Sequence, residues 1–127
     1  MTDEAATGKV KEIFDDIRDN FGMVPNFFRA QAAHDADWLA LNWDRWKKIM
    51  GEKRTMDRKT KELIALAVST VNDCEYCKAA HEAMARQMGA SPEEISEMRQ
   101  VVELFASFNS IADSLDVPVD VKPEIKP

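Results

Sequence analysis

Apolar side chains in this chain recur at spacings of three and four residues, and almost nothing interrupts them. No other feature constrains the fold as much, because side chains three and four apart share one face of an α-helix. The breakers are scarce: 4 Gly and 5 Pro in 127 residues, with two of the Pro in the last five.

Taken in order, residues 4–20 carry Val10, Ile13, Phe14 and Ile17 on one side, with Glu12, Asp15 and Asp16 facing outward. Gly22 suits the end of that helix, and Pro25 pushes Val24 into extended geometry. A short helical piece from Asn26 to Ala33 follows, with Asn26 as its cap, and His34-Asp35 punctuates it. Asp35 to Met50 reads as an aromatic-rich helix. Its Leu39, Trp43, Trp46 and Met50 form a stripe suited to a core or a subunit contact. Gly51 ends it, and Thr55 or Asp57 caps a further helix to Val71. The interior of that helix, Leu63 to Val68, is apolar almost all round, which predicts a central, buried element.

Asn72 is expected to cap the next helix, with Glu75 completing a capping box, and Gly89 to end it just past Met88. Ser91-Pro92-Glu93-Glu94 then combines a capping serine, a proline at the first helical position and a capping-box glutamate. Behind it Ile95, Met98, Val102, Phe105, Phe108, Ile111 and Leu115 continue the helical spacing. The tail, residues 117–127, alternates apolar and polar residues with prolines from Val117 to Pro123. It reads as extended on the core or on a neighbouring subunit, or as disordered. Nothing reads as a strand, so the expected fold is all-α, one domain spanning residues 1–127.

The net charge of −6 argues against a nucleic-acid surface, which needs a clustered positive field. No stretch approaches the roughly 18 consecutive apolar residues of a membrane span. The polar, acidic start Met1-Thr2-Asp3-Glu4 does not read as a signal peptide, so the expected compartment is the cytoplasm. In a reducing compartment a lone C-x-x-C is a catalytic, redox or metal motif more often than a staple.

The chain's 2 Cys are Cys74 and Cys77, in that spacing, and His81 follows four residues later. On a helix beginning at Cys74, two thiols and an imidazole share one face. A helix N-terminus, a paired thiol and a nearby base each favour the reactive thiolate. Helix position favours Cys74, which lies nearest the N-terminus, as the more acidic thiol. Glu62, at the edge of the preceding apolar run, reads either as an exposed helix end or as a buried functional carboxylate. Four readings compete for this cluster. The first is a metal site, with Glu62 or His34 as fourth ligand, although a structural zinc site usually draws on a second knuckle. The second is a thioredoxin-type motif, which belongs after a strand. The others are an inert pair of buried cysteines beside a core histidine, and redox catalysis at the pair.

Glu62, Cys74-Glu75-Tyr76-Cys77 and His81 together spell E-x11-C-x-x-C-x-x-x-H. This pattern resembles the carboxymuconolactone decarboxylase superfamily, in its alkylhydroperoxidase D-like (AhpD-like) branch. The flanks G-M-V-P-N-F-F-R, K-E-L-I-A-L-A-V-S and G-A-S-P-E-E-I agree with it. The resemblance implies an all-helical bundle of six or so helices that self-associates into trimers or hexamers. It implies peroxide as the substrate; with no second knuckle for a metal, no metal and no cofactor are expected. Cys77 would be the peroxidatic cysteine, Cys74 the resolving one, and His81 with Glu62 the proton relay. A dithiol partner, lipoyl-bearing or thioredoxin-like, would return the electrons. The branch's peroxidase pattern carries a histidine just before the second cysteine, whereas this chain has Tyr76. That phenol is a hydrogen-bond donor but a weak base at neutral pH. A non-catalytic redox-responsive or ligand-binding oligomer of the same fold is the alternative. A lactone decarboxylase, the activity in the superfamily's name, gives the cysteine pair no evident part.

Overall fold

A computed structural model of the chain describes residues 1–121, 123 and 124; of the expected tail, Lys122 and residues 125–127 lie outside the described residues. Six helices and no strand occur among the described residues: α1 (Gly8–Phe21), α2 (Asn26–His34), α3 (Ala36–Trp46), α4 (Arg58–Val71), α5 (Glu75–Gln87) and α6 (Pro92–Ser114). No helix among them is long and apolar enough to cross a membrane. The chain divides into two compact units, Met1–Arg54 and Thr55–Pro127.

In the first unit α1 begins at Gly8, four residues later than the expected span of 4–20. The preceding residues are drawn aside by α1 and α2: Asp3 Oδ1 accepts from Arg18 at 3.0 Å and from Arg29 at 2.8 Å. Arg29 also donates to the Met1 carbonyl at 3.0 Å. Gly22 closes α1 in the left-handed conformation that glycine adopts without strain. Asn26 does not cap α2. Pro25 occupies the cap position, and Asn26 is the first helical residue. Asp35 caps α3, accepting from the amides of Asp37 and Trp38. Past Trp46 the helix widens by one residue per turn across Lys47–Gly51, where Glu52 N–H reaches back to the Lys47 carbonyl at 2.9 Å.

The core of this unit joins Val10, Phe14 and Ile17 of α1 to Phe28, Leu39 and Trp43. The expected stripe therefore splits: Leu39 and Trp43 are buried, while Trp46 and Met50 are partly covered. Trp43 stacks on Trp46 at 5.0 Å and meets Phe28 edge-on at 5.3 Å. Its indole N–H donates to Asp16 at 2.8 Å, and Lys47 reaches the same carboxylate oxygen at 3.0 Å. Asp16 is thus more than an outward charge. The indole bond first, then that of Lys47, holds its carboxyl below the usual aspartate value.

The second unit is built on the antiparallel pair α4 and α5, with α6 packed on α4. Asp57 caps α4, accepting from Thr60 N–H at 2.7 Å. Ser91 and Glu94 form the expected reciprocal capping box at the start of α6. The core is small: Leu66, Ala85, Ala90 and Ile95, with Leu63 and Met98 against them. α4 is not buried all round, contrary to its composition. Ile64, Val68 and Val71 remain 47%, 54% and 67% exposed. They lie along one stripe of the helix, and α5 and α6 occupy other sides of it. Likewise α6 buries Ile95, but Leu104, Phe105, Phe108 and Ile111 stay exposed.

Asp16→Ala leaves the buried indole N–H without its acceptor, so urea unfolding at neutral pH is expected to show a loss of about 1–3 kcal/mol. Because the folded carboxyl is more acidic than the unfolded one, its contribution is present above the unfolded pKa and fades as pH falls through the folded value. A variant as stable as the parent at neutral pH would show that this bond contributes nothing.

Candidate active site

The turn between α4 and α5 sets the positions of the two cysteines. α4 closes with Asp73 at φ 54°, a left-handed residue where glycine is usual. Asp73 N–H bonds the Thr70 carbonyl at 3.2 Å, and Cys74 N–H bonds the Ser69 carbonyl at 3.0 Å. Asn72 therefore ends α4 and does not cap α5. The cap is Cys74 itself, whose sulfur accepts from Cys77 N–H at 3.3 Å. Cap choice is a competition for free N–H groups, and a chain closing one helix with a left-handed residue delivers the next residue to the following N-terminus. Both cysteines are half-buried and joined to each other as a disulfide, with Cα atoms 5.2 Å apart.

Cys77 lies in the first turn of α5, and His81 is one turn further along. The imidazole Nδ1 lies 2.8 Å from Glu62 Oε2. Glu62 projects from α4 and is only 1% exposed. Its other oxygen, Oε1, accepts from Arg58 Nε at 2.8 Å, one turn earlier on α4. Burial pushes the Glu62 carboxyl up, but the hydrogen bonds from His81 and Arg58 and the Arg58 charge outweigh it, leaving the group below the usual glutamate value. An ionised carboxylate only accepts, so the proton in this contact sits on Nδ1. With Nδ1 carrying that proton, Nε2 is the ring nitrogen left to take up or release a proton.

Glu62, Cys74, Tyr76, Cys77 and His81 all belong to α4, α5 and the turn between them, in the second unit. Glu62 and His81 are in direct contact, and Cys74 and Cys77 are paired. Tyr76, between the cysteines, is exposed. His34 is exposed at the end of α2, in the first unit. Among the described residues no group of three or more His, Cys, Asp and Glu side chains is gathered as a metal site would gather them. Sequence reading missed Arg58. Its only signal is the four-residue spacing to Glu62, which on most helices marks a surface ion pair.

Residues 32–120 match the carboxymuconolactone decarboxylase family. The chain belongs to that family. Its AhpD-like character is supported by a crystal structure of the alkylhydroperoxidase AhpD core from Rhodospirillum rubrum. That structure is similar at TM-score 0.83 and 38% identity, over 88% of this chain and 83% of the other. Among curated relatives, a Paracoccus denitrificans protein named uncharacterized protein 4 in cox locus is 39% identical over 69 residues, covering 54% of this chain and 58% of its own. An alkyl hydroperoxide reductase AhpD of Mycobacteroides abscessus is 35% identical over 84 residues, covering 66% of this chain and 47% of the relative. This member of the carboxymuconolactone decarboxylase family spans 47% to 58% of the length of the curated relatives it matches.

Glu62→Gln keeps the shape of the side chain but removes its charge. At neutral pH the variant is expected to be less stable by about 1.5–3 kcal/mol, the range for hydrogen bonds to a charged group. The lowered carboxyl pKa puts that contribution above the ordinary glutamate value of 4.5, and it fades as pH falls through the folded value. Denaturant melts of parent and variant across this range should converge on acidification; a gap that persists or widens in acid would contradict the ionised pair.

Proposed function

We propose that this chain is a thiol-dependent alkylhydroperoxidase or disulfide reductase working at Cys74 and Cys77. One observation carries the reading: a buried, ionised carboxylate orients an imidazole that sits a single helical turn from Cys77. The named AhpD relatives support the same class of chemistry.

In this scheme the Cys77 thiolate attacks the terminal peroxide oxygen. A sulfur–oxygen bond forms as the oxygen–oxygen bond breaks, and sulfur is oxidised to sulfenic acid. The peroxide is reduced to an alkoxide or hydroxide, which takes a proton through His81, backed by Glu62. Tyr76 is a hydrogen-bond donor to the departing oxygen. Cys74 then displaces the sulfenic oxygen as water and closes the disulfide. A dithiol partner, lipoyl-bearing or thioredoxin-like, returns two electrons by exchange and leaves as its own disulfide. The setting is a reducing cytoplasm.

We further propose a homo-oligomer, a trimer or hexamer. The apolar stripes left open on α4 and α6 support it, since contiguous exposed apolar surface marks association sites. Sedimentation velocity should give a trimer or hexamer mass; a monomer at micromolar concentration would overturn it.

Cys77→Ala should abolish peroxide consumption. Cys74→Ala should still be oxidised once and then trap a sulfenate or mixed disulfide. His81→Gln should slow the oxidation of Cys77 by about 100-fold or more, the usual share of a positioned acid–base group. If both cysteine variants consume peroxide like the parent, the assignment is wrong. A stopped-flow rate for the reduced parent no faster than a free thiol would favour the alternative, a redox-responsive or ligand-binding oligomer without turnover.

A further inference from the structure

Arg58 has no part in the scheme above, yet it is bonded to the site's carboxylate at charge-assisted distance. Its Nε donates to Glu62 Oε1 at 2.8 Å, and its side chain is largely covered. A carboxylate with one oxygen free can rotate about its terminal bond, whereas one gripped at both oxygens cannot. A guanidinium is the cation best suited to that grip, being planar, directional and always charged.

We propose that Arg58 is a positioning residue for this site. Its guanidinium pins one oxygen of Glu62 so that the other is held against His81 Nδ1, and its charge offsets the pull of that carboxylate on an imidazole proton. The inference rests on the peroxidase reading for its consequence, though not for its geometry. With one carboxylate oxygen already paired to Arg58, less of the Glu62 charge acts on the imidazole. Without Arg58 the full negative charge falls on the imidazole, which would hold its proton more tightly.

Several other charged side chains of α4, α5 and α6 pair among themselves. On α5, Lys78 is taken by Asp73 at 2.9 Å, and Glu82 by Arg86 and, from α6, Arg99, each at 3.1 Å. On α4, Lys59 pairs with Glu94 of α6 at 3.0 Å. Among the described residues Glu62 is the group the imidazole bonds. A change at Arg58 therefore reaches His81 through Glu62.

Histidine ring-proton NMR on the full chain tests this, in the disulfide form, where no thiolate titrates. The chain has 2 His, so His34→Gln assigns the His81 signal by elimination. Arg58→Gln should raise the His81 titration midpoint by on the order of one pH unit. Arg58→Lys, which keeps the charge, should return it most of the way. Glu62→Gln should lower it, and in that background Arg58→Gln should move it much less. Circular dichroism establishes that each variant is folded, and the lysine variant carries the test if the glutamine one is not. An unmoved midpoint in Arg58→Gln, or an equal shift with and without Glu62, would overturn the proposal. In the reduced protein, the acid limb of the peroxide-consumption profile should shift in the same direction as the His81 midpoint. A parent that consumes no peroxide would sink the peroxidase reading, leaving the NMR titration to decide Arg58. An active parent whose His81 ignores Arg58 would sink this inference only.

Discussion

A carboxylate removed from water and held ionised between a guanidinium and an imidazole is the interaction on which the second unit turns. Burying an isolated charge is costly, and burial alone would drive the proton back onto Glu62. Two directional bonds, one from each side, reverse that preference. Since Arg58 and Glu62 lie on α4 and His81 on α5, the same bonds fix how the two helices are rotated against each other.

That rotation would mean little without the turn that joins the helices. Asp73 accepts a left-handed conformation, and its two backbone bonds deliver Cys74 to the cap position of α5. Once Cys74 is the cap, Cys77 falls in the first turn and His81 in the second. The disulfide pair and the imidazole therefore follow from one chain reversal. The apolar support beneath is slight, with four buried residues and two more against them. The polar tie between α4 and α5 carries a correspondingly large share of the definition of the site. The first unit contrasts with it. Its aromatic cluster around Trp43 is dense, and its chief polar anchor, Asp16, serves to satisfy a buried indole.

Helix boundaries were legible wherever a local signal had one possible use. Ser91 with Glu94, and Gly89 past the end of α5, act through their own backbone neighbourhood and stand where the pattern put them, while of the two caps offered for α4, Thr55 and Asp57, the structure uses Asp57. The misreadings came where two local uses competed. Asn26 and Asn72 were both good cap residues displaced by a neighbour, Pro25 in one case and Cys74 in the other. Burial was harder still. The run from Leu63 to Val68 is apolar on nearly every side, yet Ile64 and Val68 face outward in the chain. Composition says that a side chain would leave water if something covered it, but not whether the same chain supplies the cover.

The sequence by itself determined the helical class, the order of six helices and the spacing that sets two sulfurs and an imidazole on one helical face. Those are consequences of period and of caps, which act over a few residues. Tertiary structure alone decided that Glu62 is buried rather than a solvated helix end, that its two oxygens divide between Arg58 and His81, and that α4 keeps an open apolar stripe. The reason is physical. Hydrogen-bond partners nineteen residues apart are selected by how two helices pack, and helical periodicity names the face of each helix but not the partner it meets.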